Sequence, residues 1–197
     1  MQATLPVVYL ARHGETEWSV SGQHTGRTDI PLTARGERDA QRLARRLAGV
    51  TFAKIFTSPL ARARRTCELA GFGDAAEVDA DLQEWDYGAY EGRRTVDIRQ
   101  ERPDWYLFRD GCPGGESVEA IGDRADRVVA RLRAIEADVL VFGHGHILRV
   151  LAARWLGLPP GEARLFVLST AALSILGYEH ALHEPAIRLW NDNRHVG

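Results

Sequence analysis

A chain of 197 residues, 45% hydrophobic and 26% charged, carries enough apolar material for one well-buried core but is short for two ordinary domains. Disorder and membrane spanning are excluded, and one globular domain over 1–197 is expected. The formal net charge is −2, from 25 basic and 27 acidic side chains, so no net positive field attracts a nucleic-acid backbone and any affinity for an anion must come from a local site.

Taken in chain order, the sequence up to Leu10 has no basic leader, and the apolar run 7–11 is too short for a signal sequence. That run reads instead as a strand buried on both faces, as in a parallel sheet. The polar Arg12-His13-Gly14-Glu15 follows it, then residues 35–48, where Ala40, Leu43, Ala44 and Leu47 recur at a helical period. A second strand, 54–57, stops at Ser58-Pro59 before a helical pattern over 61–70. Residues 84–115, rich in Trp, Tyr, Asp, Arg and Gly, are expected as loop and short helix forming a cap over one end of the sheet. A helix over 117–135 leads to a third strand, 139–142, which ends at Gly143-His144-Gly145, and a helix over 147–156 follows. Segments 165–168, 173–178 and 187–190 read as strands that complete or edge the sheet. Strand and helix alternate, which defines an α/β class with a mostly parallel sheet.

Cys67 and Cys112 lie far apart and match no paired metal spacing, which argues against structural zinc and disulfides and for a reducing cytoplasm. Lys54 is the one lysine, leaving 24 arginines, whose planar fork binds phosphate bidentately and keeps its charge. In open α/β sheets ligands bind beyond the carboxyl ends of the strands. Three such ends bring Arg12, His13, Arg62 and His144 toward one pocket. Nucleophile candidates among several cations, with neither a Gly-rich phosphate loop nor an acidic cage, suit a phosphoryl group handled without a metal.

Leu10-Ala11-Arg12-His13-Gly14-Glu15-Thr16-Glu17-Trp18 resembles the Arg-His-Gly signature of the histidine phosphatase superfamily, which includes cofactor-dependent phosphoglycerate mutase. The resemblance continues through Thr25-Gly26, Asp29-Ile30-Pro31-Leu32-Thr33, Thr57-Ser58-Pro59-Leu60 with Arg62-Ala63, Glu84, Tyr87-Gly88, Glu91-Gly92, Gly114-Gly115-Glu116-Ser117 and Gly143-His144-Gly145. It implies a three-layer α/β/α sandwich in which His13 attacks phosphorus and becomes a phosphohistidine. Arg12, Arg62 and His144 would hold the phosphoryl oxygens. Glu84 would protonate the leaving alkoxide, which requires a pKa raised by burial or by the bound phosphate, and would then serve as base for water. Ser19, Thr25, Gly26, Tyr87, Gly145 and His146 would contact substrate, with no cofactor and no metal.

Ser19 stands where the mutases usually place Asn, and the long mutase insertion is missing, so hydrolysis is favoured over mutase chemistry. Short matches around residues 18–26, 109–112 and 143–149 are similar to the sedoheptulose 1,7-bisphosphatase branch and related bacterial acid phosphatases, which implies a sugar phosphate. A phosphoprotein phosphatase is the further alternative. For a bisphosphate, Arg109 in the cap is the candidate for the second phosphate; its competing assignment is a brace on Asp110 or Glu116. His24, His180, His183 and His195 read as structural. The expected partner is a small-molecule phosphate ester, with no nucleic acid and no membrane, and a homodimer is left open.

Overall fold

The computed structural model describes residues 5–197; residues 1–4, the start of the stretch read as free of a leader, lie outside it. Strands are β1 (Val8–Arg12), β2 (Lys54–Thr57), β3 (Glu77–Val78), β4 (Val139–Gly143), β5 (Leu173–Tyr178) and β6 (Pro185–Asp192). Helices are α1 (Glu17–Ser21), α2 (Ala34–Leu47), α3 (Ala61–Leu69), α4 (Thr95–Glu101), α5 (Leu107–Asp110), α6 (Val118–Arg133) and α7 (Gly145–Trp155). The sheet runs β3-β2-β4-β1-β5-β6. Its first four strands are mutually parallel, and β5 and β6 add antiparallel.

Period-two alternation divides the core. On β4, Val139 and Val141 face a cluster built from α6, α7 and the cap, including Ile121, Val128, Ile147, Leu151 and Trp85. Leu140 and Phe142 face the opposite cluster with Leu43 and Leu47 of α2 and Cys67 of α3. The same strand thus buries both faces, as its continuous apolar run requires, and a three-layer α/β/α sandwich results. None of the helices among the described residues is long and apolar enough to cross a membrane.

Two segments depart from the sequence reading. Of residues 165–168, expected as a strand, Leu165 ends a 3-10 helix (Pro160–Leu165) that Pro160 opens, and 166–168 follow it as irregular chain. Beyond the helix the carbonyls turn to side chains: Trp190 Nε1 donates to Val167 O and Arg12 Nη1 to Leu168 O. β3 gave no hydrophobic signal because both of its residues are exposed at the sheet edge.

Register sets the site. Arg12 lies opposite Gly143 and Thr57 opposite Phe142, so β1, β2 and β4 end level with one another. The chain leaving β1 then crosses the start of α2 at two glycines. A Cβ on Gly14 would sit 2.4 Å from Gly36 O, and one on Gly36 would sit 2.2 Å from Glu15 O. Gly36→Ala is therefore expected to destabilise the protein by about 1–3 kcal/mol through overpacking against backbone. Urea unfolding measures this, and an unchanged midpoint would contradict so close a crossing.

Candidate active site

Parallel pairing continues one residue past the strand ends: His13 N donates to Gly143 O at 3.0 Å, and Ser58 N donates to Phe142 O at 3.0 Å. This brings the rings of His13 and His144 to 5.2 Å between centroids. His13 Nδ1 lies 2.7 Å from Gly14 O. A carbonyl can only accept, so the ring proton sits on Nδ1 and the Nε2 lone pair is left free. His144 has the opposite tautomer. Arg62 Nε, which can only donate, bonds its Nδ1 at 3.1 Å, so the proton is on Nε2, 2.7 Å from Ser58 Oγ. Burial pushes the pKa of both rings well down, and positive neighbours add to it: Arg12 and Arg62 for His13, Arg62 for His144.

Arg62 reaches the site from the first turn of α3 and is 0% exposed. Besides His144, its N–H groups bond Thr28 O, Thr25 O and Gly26 O at 2.8–3.0 Å. Glu91 holds the same loop by accepting from Gly26 N and Thr28 N. Arg12 Nη1 donates to Leu168 O, while its buried Nε has no partner among the described residues.

Glu84, 5% exposed, comes from the loop before the cap and docks on the start of α7. Its Oε1 accepts from Trp85 N, His146 N and Ile147 N, and its Oε2 accepts from His146 N at 2.9 Å. Burial alone would raise its pKa. Its contact with the His146 ring and the hydrogen bonds it accepts from the His146 backbone outweigh burial and hold it well below the ordinary value. Burial therefore does not leave the Glu84 pKa raised, and the free protein favours its carboxylate form at the positive end of a helix, which leaves a bound phosphate as the expected source of a raised value.

These groups surround a cavity of about 90 Å³. Arg12, His13, Ser19, Thr25, Glu84, Tyr87, Gly145 and His146 line it, whereas Arg62, His144 and Gly26 stand behind it. Ser19 is positioned by a capping box with Thr16 at the start of α1. Gly145 lets Arg12 pass, since a Cβ there would lie 3.3 Å from the guanidinium carbon. Tyr87 Oη bonds His146 Nδ1.

Arg109 is not part of this cavity. Its side chain is 62% exposed, its fork holds Asp110, and it borders a separate hollow with Arg102 and Asp104. The adjacent carboxylate captures it, which is the brace that competed with a substrate role. Arg149 lines the cavity instead, stacked 4.6 Å over the Phe108 ring, bonded to Ala163 O and Arg164 O, and with no carboxylate partner among the described residues. Its signal was available: it follows His146 by three residues on α7 and so shares its face. Gln23, Leu168 and His24 also line the cavity. His24, read as structural, packs 4.7 Å from the Tyr87 ring; burial and then His146 lower its pKa to about 4.

Level strand ends carrying a free imidazole nitrogen among arginines correspond to a known group of enzymes. A profile of the histidine phosphatase superfamily (branch 1) matches residues 8–193. The acid phosphatase of Mycobacterium tuberculosis is 43% identical, with 90% of this chain and 89% of that protein covered. The sedoheptulose 1,7-bisphosphatase of Saccharomyces cerevisiae is 39% identical over 80% of this chain and 70% of its own. The solved structure of a Mycobacterium tuberculosis open reading frame superposes with a TM-score of 0.90 at 38% identity, covering 94% of this chain and 97% of that one. The chain belongs to the histidine phosphatase superfamily. Within it, the chain is a phosphoric monoester hydrolase.

The cluster of neutral imidazoles makes folding sensitive to acid. His13, His24, His144 and His146 all have lowered pKa values in the fold, so below about pH 6.5 the unfolded chain binds protons that the folded one refuses. Stability is expected to fall as pH drops from 7 to 5, by roughly 1–2 kcal/mol from His24 alone. Urea titrations at the two pH values check this; equal unfolding free energies would contradict neutral, buried rings.

Proposed function

We propose that this phosphatase transfers the phosphoryl group of a small phosphomonoester to His13 Nε2 and then to water, without a metal. The observation that carries this is the His13 tautomer: the carbonyl of Gly14 fixes the proton on Nδ1 and leaves a nucleophilic lone pair on a ring that lines the cavity. Burial and two arginines keep that lone pair unprotonated at neutral pH.

In the first step the N–P bond forms as the P–O ester bond breaks, and the departing alkoxide takes a proton. Arg12, with its unpartnered Nε, and the remaining N–H of Arg62 are suited to the equatorial oxygens, where charge is concentrated in the transition state. Glu84 is the candidate proton donor. Because it is ionised in the free protein, its proton must arrive with the substrate: a monoanionic phosphate brings one, and the phosphate charge beside the carboxylate raises its pKa. In the second step Glu84 accepts a proton from water, whose oxygen attacks phosphorus and displaces His13.

The substrate class proposed is a sugar phosphate or bisphosphate. A cavity of about 90 Å³ is well under the roughly 300–1,000 Å³ of sites that enclose whole drug-sized ligands, so it suits the phosphoryl group and its ester oxygen, with the rest of the molecule at the mouth. Gln23, His24, Ser19 and Arg149 offer that remainder polar groups, and the sugar bisphosphatase among the relatives supports the same class. Arg149 takes over from Arg109 as the candidate for a second phosphate. A reducing compartment is in keeping with the two free, buried cysteines.

Rapid quenching during turnover with a labelled phosphate ester is expected to find acid-labile label on His13, and His13→Ala is expected to abolish both label and turnover. Wild-type turnover in that variant would exclude the mechanism. Arg149→Ala is expected to raise KM for a sugar bisphosphate about ten- to a hundredfold, the equivalent of losing one charge-assisted contact of roughly 1.5–3 kcal/mol. A small aryl phosphate should suffer far less, and Arg109→Ala should alter neither substrate. Steady-state kinetics on both substrates decide, and an equal loss on both in Arg149→Ala would remove Arg149 from the second-phosphate role.

A further inference from the structure

Behind Glu84, on the side away from the cavity, lies an arginine with no part in the chemistry above. We propose that Arg124 of α6, held by Glu116, is a positioning residue that sets the place of Glu84 in the catalytic pocket. The proposal rests on Glu84 being the proton donor.

Arg124 is 9% exposed, and each of its five N–H donors has an acceptor. Nε and one Nη2 hydrogen form a two-pronged pair with Glu116, at 2.9 Å to Oε1 and 2.7 Å to Oε2. The other three go to backbone carbonyls of a single loop: Nη1 to Asp81 O at 2.8 Å and to Gln83 O, and Nη2 to Glu84 O at 3.3 Å. Glu116 grips the same loop independently. Its Oε2 accepts from Asp86 N at 2.9 Å, its backbone N donates to Asp86 O at 2.9 Å, and its carbonyl accepts from Trp85 Nε1 at 3.0 Å.

The loop 81–86 is thereby fixed from α6 through its backbone and from α7 through the Glu84 carboxylate. A buried ion pair is an expensive way to stabilise a fold, since desolvation offsets much of its attraction and apolar residues often serve better. What this pair supplies is geometry, because a planar fork of five fixed donors locates three carbonyls at once. Lysine, with three donors on a single rotating ammonium, cannot reproduce that. A displacement near 1 Å in a reacting group is enough to cost about a hundredfold in rate. The clamp therefore acts on proton delivery rather than on binding.

The test compares the single-turnover rate of leaving-group release from an alkyl phosphate, whose leaving group needs a proton, with that from an activated aryl phosphate, whose leaving group does not; this step precedes the hydrolysis that both substrates share. The ratio of the two within one preparation cancels any loss of folded protein. Arg124→Lys and, as a milder second variant, Glu116→Gln are each expected to lower that ratio about tenfold or more with little change in KM. The Arg124→Lys/Glu84→Gln double variant is expected to be no lower than Glu84→Gln alone, because the two act as one unit. An unchanged ratio in both clamp variants, or additive losses in the double variant, would overturn the proposal while leaving Glu84 as the acid. An unchanged ratio in Glu84→Gln itself would instead overturn the acid role, and the clamp's effect on catalysis with it.

Discussion

Positive charge is buried here without enough negative charge to match it, and much of the site follows from that imbalance. Arg62 is fully buried beside two imidazoles, and Arg12 carries an unpartnered Nε. A guanidinium cannot shed its proton, so the histidines are the groups that yield, and both remain neutral. Glu84, the one carboxylate that faces them among the described residues, is already engaged by the amides of α7. The pocket therefore carries an excess of positive charge, and a phosphate monoester is the kind of anion that would offset it. Charge that repels within the fold becomes stabilisation when the anion enters, with little reorganisation at the moment of reaction.

Such an arrangement needs a rigid frame, because repelling groups move apart when allowed to. The level ends of β1, β2 and β4 provide one side of it, with their ladder bonds extended by His13 and Ser58. The glycine crossing between the His13 loop and α2 provides another, since backbone there meets backbone with no side chain between. α6 and α7 hold the acidic loop from two directions. Each restraint comes from a different layer of the sandwich, so the site is a property of the whole fold rather than of one motif.

The parts legible in the sequence were those governed by local pattern. The apolar runs at 7–11 and 139–142, and Ile55-Phe56 within 54–57, read as strands of a parallel sheet, whose terminal polar residues emerge at one edge. What escaped was decided by partners far along the chain. The charge of Glu84 depends on amides 62 and 63 residues away, which no local window contains. Arg109 stood out as a cation in the cap, but its neighbour Asp110 holds it; Arg149, not singled out in the sequence, lies on the helix face that His146 turns toward the cavity. The place of His24 in the cavity wall was not legible because its neighbours there, Tyr87 and His146, lie far along the chain. Residues 165–168 looked apolar enough for a strand, but proline opened a tight helix that takes in Leu165, and two distant side chains took the carbonyls of Val167 and Leu168.

The bonds of Arg62 have a consequence for how ligand and loop communicate. Four of its five N–H groups are committed, one to His144 and three to the carbonyls of Thr25, Gly26 and Thr28. Under the proposed role of Arg62, an anion that asks for a single hydrogen bond would take the fifth, and one that asks for two would have to displace a carbonyl of the loop that carries Thr25. Occupancy and the order of the 25–28 loop would then be linked equilibria, a bidentate ligand releasing one of the carbonyls that Arg62 holds. Product inhibition and loop mobility would thus be two readings of one exchange of donors.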